Sequence, residues 1–125
     1  SRTDPADLER LRAVLEQARF RCGTLTYLQV ADALDIPPPH RIHKTVRLIE
    51  RLLKIDVDAG RVPVAALAVS KARGGLPGPG FFDRAERLGI YSGDDPESFH
   101  GHLLSRLYAD SDTQHETYPR CMRPQ

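Results

Sequence analysis

Basic side chains recur at helical spacing in the middle of the chain, within residues 39–54. At about 100° per residue, one side of a helix over this range is apolar and comprises Ile42, Val46, Ile49, Leu52 and Leu53. The opposite side is basic, is interrupted only by Glu50, and comprises His40, Arg41, His43, Lys44, Arg47, Arg51 and Lys54. Like charges one helical turn apart repel each other, whereas lysine and arginine bind phosphate. The pattern therefore favours a surface for a polyanion, and its structural alternative is an ordinary amphipathic helix with a solvated charged face.

The charge distribution along the 125 residues supports the first interpretation. The net charge of +1 excludes a uniformly basic coat, but residues 36–75 carry eight Arg and Lys against three acids, which gives +5. Residues 1–35 (five against six, −1) and 76–125 (five against eight, −3) are both acidic. A basic segment between acidic ones is an electrostatic footprint of nucleic-acid binding. The fifteen Arg against three Lys also fit a GC-rich genome, which explains the choice of Arg but not its clustering.

Other residues that could carry chemistry have simpler explanations. His40 and His43 are three residues apart, but no C-x-x-C or H-E-x-x-H pattern supplies further metal ligands. Cys22 has basic neighbours, but nothing marks a base or an oxyanion hole, so we expect it to end the first helix as a structural residue. With only Cys22 and Cys121, a disulfide framework is excluded. We therefore expect no enzyme activity, no metal and no cofactor.

A glycine-rich segment at residues 74–82 allows two interpretations. Its glycines permit backbone N–H groups to turn towards an anion, and a helix start follows. However, it lacks the lysine and the Ser or Thr of a phosphate-binding P-loop. The favoured interpretation is a rigid loop that packs Phe81 and Phe82 into the core.

Three helices are predicted in the first half of the chain. The first covers about residues 5–20, with Asp4 as its cap and Pro5 at its first position. The second covers 27–35 and opens with the T-x-x-Q form of a capping box at Thr26. It cannot pass the three prolines at 37–39, so the third, basic helix runs from about 39 to 54.

The second half of the chain changes period. Residues 62–69 are apolar and partly β-branched, which predicts a strand followed by a basic loop with Lys71 and Arg73. Residues 76–80 contain too many breakers for regular structure, and a short helix is predicted from 81 to 88. A last helix opens at residues 95–97 and is expected to bury Phe99, Leu103, Leu107 and Tyr108. Residues 110–125 are predicted to be a flexible polar tail on a single domain of residues 1–109.

The segment Leu25-Thr26-Tyr27-Leu28-Gln29-Val30-Ala31-Asp32-Ala33-Leu34 resembles the T-Y-x-x-V-A-x-x-L opening of one family of DNA-binding domains. The family is that of the O6-alkylguanine DNA alkyltransferases and alkyltransferase-like proteins. The resemblance implies a winged helix-turn-helix fold with Tyr27 near nucleic acid and Arg41 near the start of the recognition helix. Where the alkyltransferases carry a proline-cysteine-histidine-arginine segment, this chain has Pro63-Val64-Ala65-Ala66. The active-site cysteine is therefore missing, and we expect no alkyl transfer.

The sequence thus predicts a mainly α protein with a small β-sheet, like a winged helix-turn-helix. It has no run of the roughly 18 apolar residues of a membrane span, and no signal peptide opens it, which favours a cytoplasmic protein. We expect binding of nucleic acid, double-stranded DNA first, by a transcription regulator or accessory DNA-binding protein, with a homodimer as one possible state. The expected contact residues are Tyr27, His40, Arg41, His43, Lys44, Arg47, Arg51, Lys71 and Arg73. The alternative is a protein-interaction module whose basic helix docks on an acidic partner.

Overall fold

In the computed structural model, which describes residues 5–110, the chain is mainly helical with one small parallel sheet. The longer elements, in chain order, are α1 (Pro5–Phe20), β1 (Leu25–Thr26), α2 (Tyr27–Ala33), α3 (Arg41–Asp58), β2 (Ala68–Val69), α4 (Pro79–Arg87) and α5 (Pro96–Asp110). Two short 3-10 helices cover Val64–Leu67 and Lys71–Arg73. The prediction of a mainly α fold with a small sheet is confirmed. The predicted cap Asp4 and the predicted tail beyond residue 110 lie outside the described residues.

The start of α2 follows directly from its sequence. The Thr26 hydroxyl accepts a hydrogen bond from the Gln29 N–H at 3.2 Å, and the Gln29 side-chain oxygen accepts one from the Thr26 N–H at 2.9 Å. The predicted capping box is therefore confirmed. The helix ends at Ala33, two residues before the predicted end, and a seven-residue connection, 34–40, leads to α3.

Helix α3 is shifted towards the C-terminus relative to its prediction. It begins at Arg41 rather than 39 because His40 has a φ of 61°, in the left-handed region that a right-handed helix excludes. It continues to Asp58, four residues beyond the predicted end. The prediction that Ile42 belongs to the buried side is wrong, since 50% of this residue is exposed. The buried face is rotated from the predicted one and comprises Thr45, Leu48, Ile49, Leu52, Leu53 and Asp56.

The predicted strand over residues 62–69 is wrong for most of its length. Only Ala68 and Val69 form a strand, which pairs in parallel with Leu25 and Thr26. Residues 63–69 are all buried, so the run lacks the alternating exposure of a half-buried strand. Its first part forms the 3-10 helix Val64–Leu67, which packs against α1, α3 and α5.

The glycine-rich segment packs aromatic residues into the core, as predicted. Phe81 is 2% exposed and Phe82 is 7% exposed, and their rings meet edge to face with centroids 5.3 Å apart. The prediction of irregular structure up to residue 80 is wrong at its end, because α4 already begins at Pro79. Proline suits the first helical position, where its missing N–H has no helical partner.

Helix α5 confirms part of its predicted packing. Leu103 and Leu107 are buried, whereas Phe99 and Tyr108 are only partly buried. Phe99 stacks on Tyr91, with ring centroids 4.5 Å apart. Across residues 5–110, no helix combines the length and the apolar composition that a membrane crossing requires.

A buried carboxylate joins α1, α3 and the connection that follows α3. The Asp56 side chain is fully buried, and its oxygens accept hydrogen bonds from Arg12 at 2.6 Å and from Arg61 at 3.1 Å. A third donor is the Val64 N–H at 3.2 Å, where the 3-10 helix begins. A charge can remain buried only when such partners replace its water.

Replacing Asp56 should therefore cost more stability than replacing any exposed acid. We expect Asp56→Ala to lower the free energy of unfolding by about 3 kcal/mol or more, because two guanidinium groups and a backbone N–H lose their acceptor. The matched control is Asp58→Ala, which removes only an exposed pair with Lys54 and should cost within about 0.5 kcal/mol. Urea unfolding of both variants measures the difference, and equal losses would contradict this account.

A buried histidine makes stability depend on pH. His100 is 4% exposed, and its Nε2 lies 2.8 Å from the Ala66 carbonyl oxygen, so that nitrogen carries the proton and donates it. Burial lowers the pKa of His100 below its ordinary 6.5, although the hydrogen bond to Ala66 opposes the shift. The unfolded chain therefore takes up a proton at a pH where the folded chain does not.

The sign follows from this difference. The contribution of His100 to the free energy of unfolding should be fully present above pH 6.5. It should fall as the pH is lowered from 6.5 to about 5, before most carboxylates titrate. The His100→Gln variant should lose this slope, whereas His102→Gln, at an exposed position on the same helix, should keep it. Denaturant unfolding at several pH values tests this, and an unchanged slope in His100→Gln would refute it.

Candidate nucleic-acid interface

The exposed ridge of α3 carries basic side chains. His43, Arg47, Arg51 and Lys54 are all exposed and lie opposite the buried face. Lys54 pairs with Asp58 at 2.6 Å, which compensates its charge. Arg47 and Arg51 have no ion pair with any residue between 5 and 110. These two guanidinium groups are therefore the ones on α3 that are available to an external anion.

Glu50, the acidic residue within the basic side, points towards α4. Its carboxylate lies 3.6 Å from the Arg84 guanidinium. It also lies so close to Gly80 that a Cβ at that position would clash with a carboxylate oxygen. Glycine at residue 80 thus lets α4 approach Glu50, and the acid is held beside α4 rather than among the exposed cations.

Two of the predicted contact residues are used inside the protein. The Arg41 Nε donates to the Ile36 carbonyl oxygen at 2.7 Å, and its terminal nitrogen lies 2.8 Å from an Asp32 carboxylate oxygen. The Lys44 Nζ donates to the Pro37 carbonyl oxygen at 3.0 Å. Both side chains fix the connection between α2 and α3. They position the basic helix and do not add unpaired cations to its exposed ridge.

His40 is exposed but does not belong to α3. It is the residue before the helix, with left-handed backbone, and makes no side-chain capping hydrogen bond. Its carbonyl oxygen accepts the Lys44 N–H at 3.0 Å. The prediction that His40 lies on the third helix together with His43 is therefore wrong, because only His43 lies on α3.

Lys71 and Arg73 lie on a short exposed loop. The Ser70 N–H donates to the Leu76 carbonyl oxygen at 2.8 Å, which brings the two ends of the loop together. Within it, Lys71–Arg73 form a 3-10 turn, and Gly74 reverses the chain with a φ of 66°. Residues 71–75 are exposed, so both cations project into solvent.

Tyr27 connects this loop to the basic helix. It is 8% exposed, and its hydroxyl oxygen accepts the Gly78 N–H at 2.6 Å. Burial raises the pKa of Tyr27. Smaller effects come from Gly78 and Arg73, which lower it, and from Glu50, which raises it. Gly78 comes just after the loop, and Gly80 lies against Glu50 of α3, so the loop leads into the segment that packs on α3.

Tyr27 itself lies in the core. The resemblance places it near nucleic acid, but in the structure it is a core residue whose hydroxyl is already bonded to the backbone. Similarly, Val64, at the place of the missing cysteine, is buried at 2% exposure. Asp32, the partner of Arg41, was not predicted from the sequence. The available signal was an acidic residue in the last turn of α2, just before the connection to α3.

No protein-family model, curated protein or solved structure matches the chain. The resemblance to the alkyltransferase DNA-binding domain therefore stays a prediction. The candidate interface is supported by its own geometry alone. It consists of Arg47 and Arg51 on a helix, with Lys71 and Arg73 on an adjacent loop.

The internal role of Arg41 can be tested against a neighbouring arginine. We expect Arg41→Ala to lower the free energy of unfolding by about 1–2 kcal/mol, because the Ile36 carbonyl and the Asp32 carboxylate both lose their donor. Arg47→Ala, six residues further along the helix, should change the free energy of unfolding by less than about 0.5 kcal/mol. Thermal or urea unfolding measures both, and equal effects would contradict the assignment.

Proposed function

We propose that this protein binds nucleic acid, and double-stranded DNA in particular, through the exposed ridge of α3 and the adjacent loop. The observation that carries the proposal is the set of four exposed cations without an ion pair among the described residues: Arg47, Arg51, Lys71 and Arg73. Such an arrangement is unfavourable for folding, since like charges repel, and is favourable for contact with phosphates. A transcription regulator or an accessory DNA-binding protein would use this surface.

The proposed docking places α3 against the major groove, which has the width of a helix. In this arrangement α2 and α3 act as a helix-turn-helix pair, with a connection longer than the three or four residues usual in that motif. The loop of residues 70–76 takes the place of a wing, although residues 5–110 contain no antiparallel hairpin there. Phosphate contacts from the loop would fix the orientation of the helix.

Arg41 and Lys44 act indirectly in this proposal. Their bonds to Asp32, Ile36 and Pro37 hold the first turn of α3 against α2. The contact with base edges falls to residues that project from the same turn, namely Ile42 and His43. An exposed isoleucine can contact the methyl group of thymine.

A second candidate function rests on the same Ile42. Its 50% exposure, together with 49% for Leu28 on α2, gives the basic end of the domain an apolar component. An acidic partner protein with apolar side chains would also fit this surface. A binding assay with duplex DNA separates the two candidate functions. If the duplex does not bind, the acidic partner protein is the candidate that remains.

The salt dependence of DNA binding tests the proposal quantitatively. If the four cations neutralise one phosphate each, the slope of log K against log salt should be between about −3 and −4, since each contact contributes about −0.9. Replacing Arg47 and Arg51 together by Ala should make the slope shallower by about 2, and so should replacing Lys71 and Arg73. Fluorescence anisotropy with duplex and single-stranded oligonucleotides measures the affinities.

Arg87→Ala is the matched control, because this exposed arginine lies at the other end of α4 from the loop. It should leave the slope unchanged, and every variant should melt close to the parent. The proposal fails if the parent shows no salt-sensitive binding. It also fails if the two double variants bind duplex DNA as the parent does.

A further inference from the structure

An open groove runs beside α5. Two adjoining depressions form it and share Ile90, Phe99 and His102. One wall is α5, and the other is the connection after α3, including Val62, together with the residues that follow α4. The centre is apolar, and 36% of Ile90 remains exposed to solvent.

The two ends of this groove carry opposite charges. Arg61 and Arg106 line one end, and Asp94 and Asp95 line the other. Arg106 is exposed and forms no ion pair with residues 5–110. Among residues 5–110, Arg61 pairs with Asp56, whereas Arg106 at one end and Asp94 and Asp95 at the other form no ion pair.

Spacing along α5 sets these charges at a fixed separation. Asp95, Phe99, His102 and Arg106 follow one another at intervals of four, three and four residues, so they share one face of the helix. Eleven residues separate Asp95 from Arg106, which is about 16 Å along a helix axis. The face is therefore acidic at the N-terminal end, apolar in the middle and basic at the C-terminal end.

We propose that this groove is the interface of a homodimer, in which α5 of each subunit packs antiparallel against α5 of the other. A two-fold axis places the same patch opposite itself in reverse direction. Asp94 and Asp95 then face Arg106 of the partner subunit, and the reverse contact forms at the other end. Phe99 faces His102 of the partner subunit, and both copies of Ile90 are covered.

The steric requirement is also met by α5. Beside the face with Phe99, His102 and Arg106, this helix exposes three small residues, Ser98, Gly101 and Ser105. Small side chains next to the contact face let two helices approach each other closely. A groove bounded by the helix that fills it in the other copy is complementary to itself, which favours a second copy over an unrelated partner.

The test uses the symmetry of the contact. Sedimentation equilibrium of the full chain at tens of micromolar should give twice the 14.0 kDa chain mass. The variants Arg106→Glu and Asp94→Arg should each raise the dimer dissociation constant by about tenfold or more, because each places like charges together at both ends of the interface. Asp94 is chosen because Asp95 also caps α5 by accepting the Ser98 N–H.

Mixing the two single variants should restore dimerisation, since every charge pair of the mixed dimer is again attractive. The double variant Arg106→Glu with Asp94→Arg should recover for the same reason. Glu9→Arg, an exposed charge reversal on α1 outside the groove, is the control and should leave the dimer unchanged. Circular dichroism establishes that each variant is folded.

A parent chain that stays monomeric would overturn the inference. So would a dimer that both single reversals leave intact, or a mixture that does not recover. The inference is independent of nucleic-acid binding, because its readout is mass alone. A dimer without DNA binding therefore leaves it standing.

Discussion

The buried carboxylate of Asp56 is the interaction on which the rest of the structure depends. It lies at the end of α3 and holds Arg12 of α1 and Arg61 of the following connection. It also accepts the Val64 N–H, so it fixes where the central 3-10 helix begins. That helix, Val64–Leu67, is fully buried and packs against α1, α3 and α5. One charge thus sets the positions of three helices, and its desolvation is offset only while all three donors remain in place.

Helix α3 is consequently held at both ends. Asp56 anchors its C-terminal end, and the bonds of Arg41 and Lys44 to the preceding connection anchor its first turn. Between the anchors, the ridge with Arg47 and Arg51 projects without support from neighbouring acids, because Glu50 is turned towards Arg84. A binding surface that is rigid before contact loses less conformational freedom on binding. This is the physical reason to propose an external partner for the free cations, whereas the bonded ones hold the scaffold.

The two surfaces that carry the proposals lie on different helices of one core. The basic ridge belongs to α3, and the groove belongs to α5 and to the connection that follows α3. Arg61 links the groove to the buried face of α3, since it lines the groove while its guanidinium pairs with Asp56 at 3.0 Å. A dimer formed through α5 would carry two basic ridges, one on each subunit. Paired sites of this kind increase affinity for DNA that contains two half-sites.

The sequence predicted the elements whose signals are local. The capping box at Thr26, the proline at the start of α1, and the burial of Phe81, Phe82, Leu103 and Leu107 all appeared as expected. Each depends on residues within a few positions of one another. The run at 62–69 was misassigned for the opposite reason. Its apolar composition reports burial, and burial on all sides does not distinguish a strand from a 3-10 helix.

The charge pattern shows the same division. The sequence by itself determined that the middle third is basic and that most of its cations recur at helical spacing. Only the tertiary structure decided which cations are free, because that depends on acceptors brought close by folding. Arg41 is held by Asp32 and Lys44 by the Pro37 carbonyl, while Tyr27 turns inward to Gly78, fifty-one residues away. Composition and helical spacing are properties of the chain, but the partner of a charged group is a property of the fold.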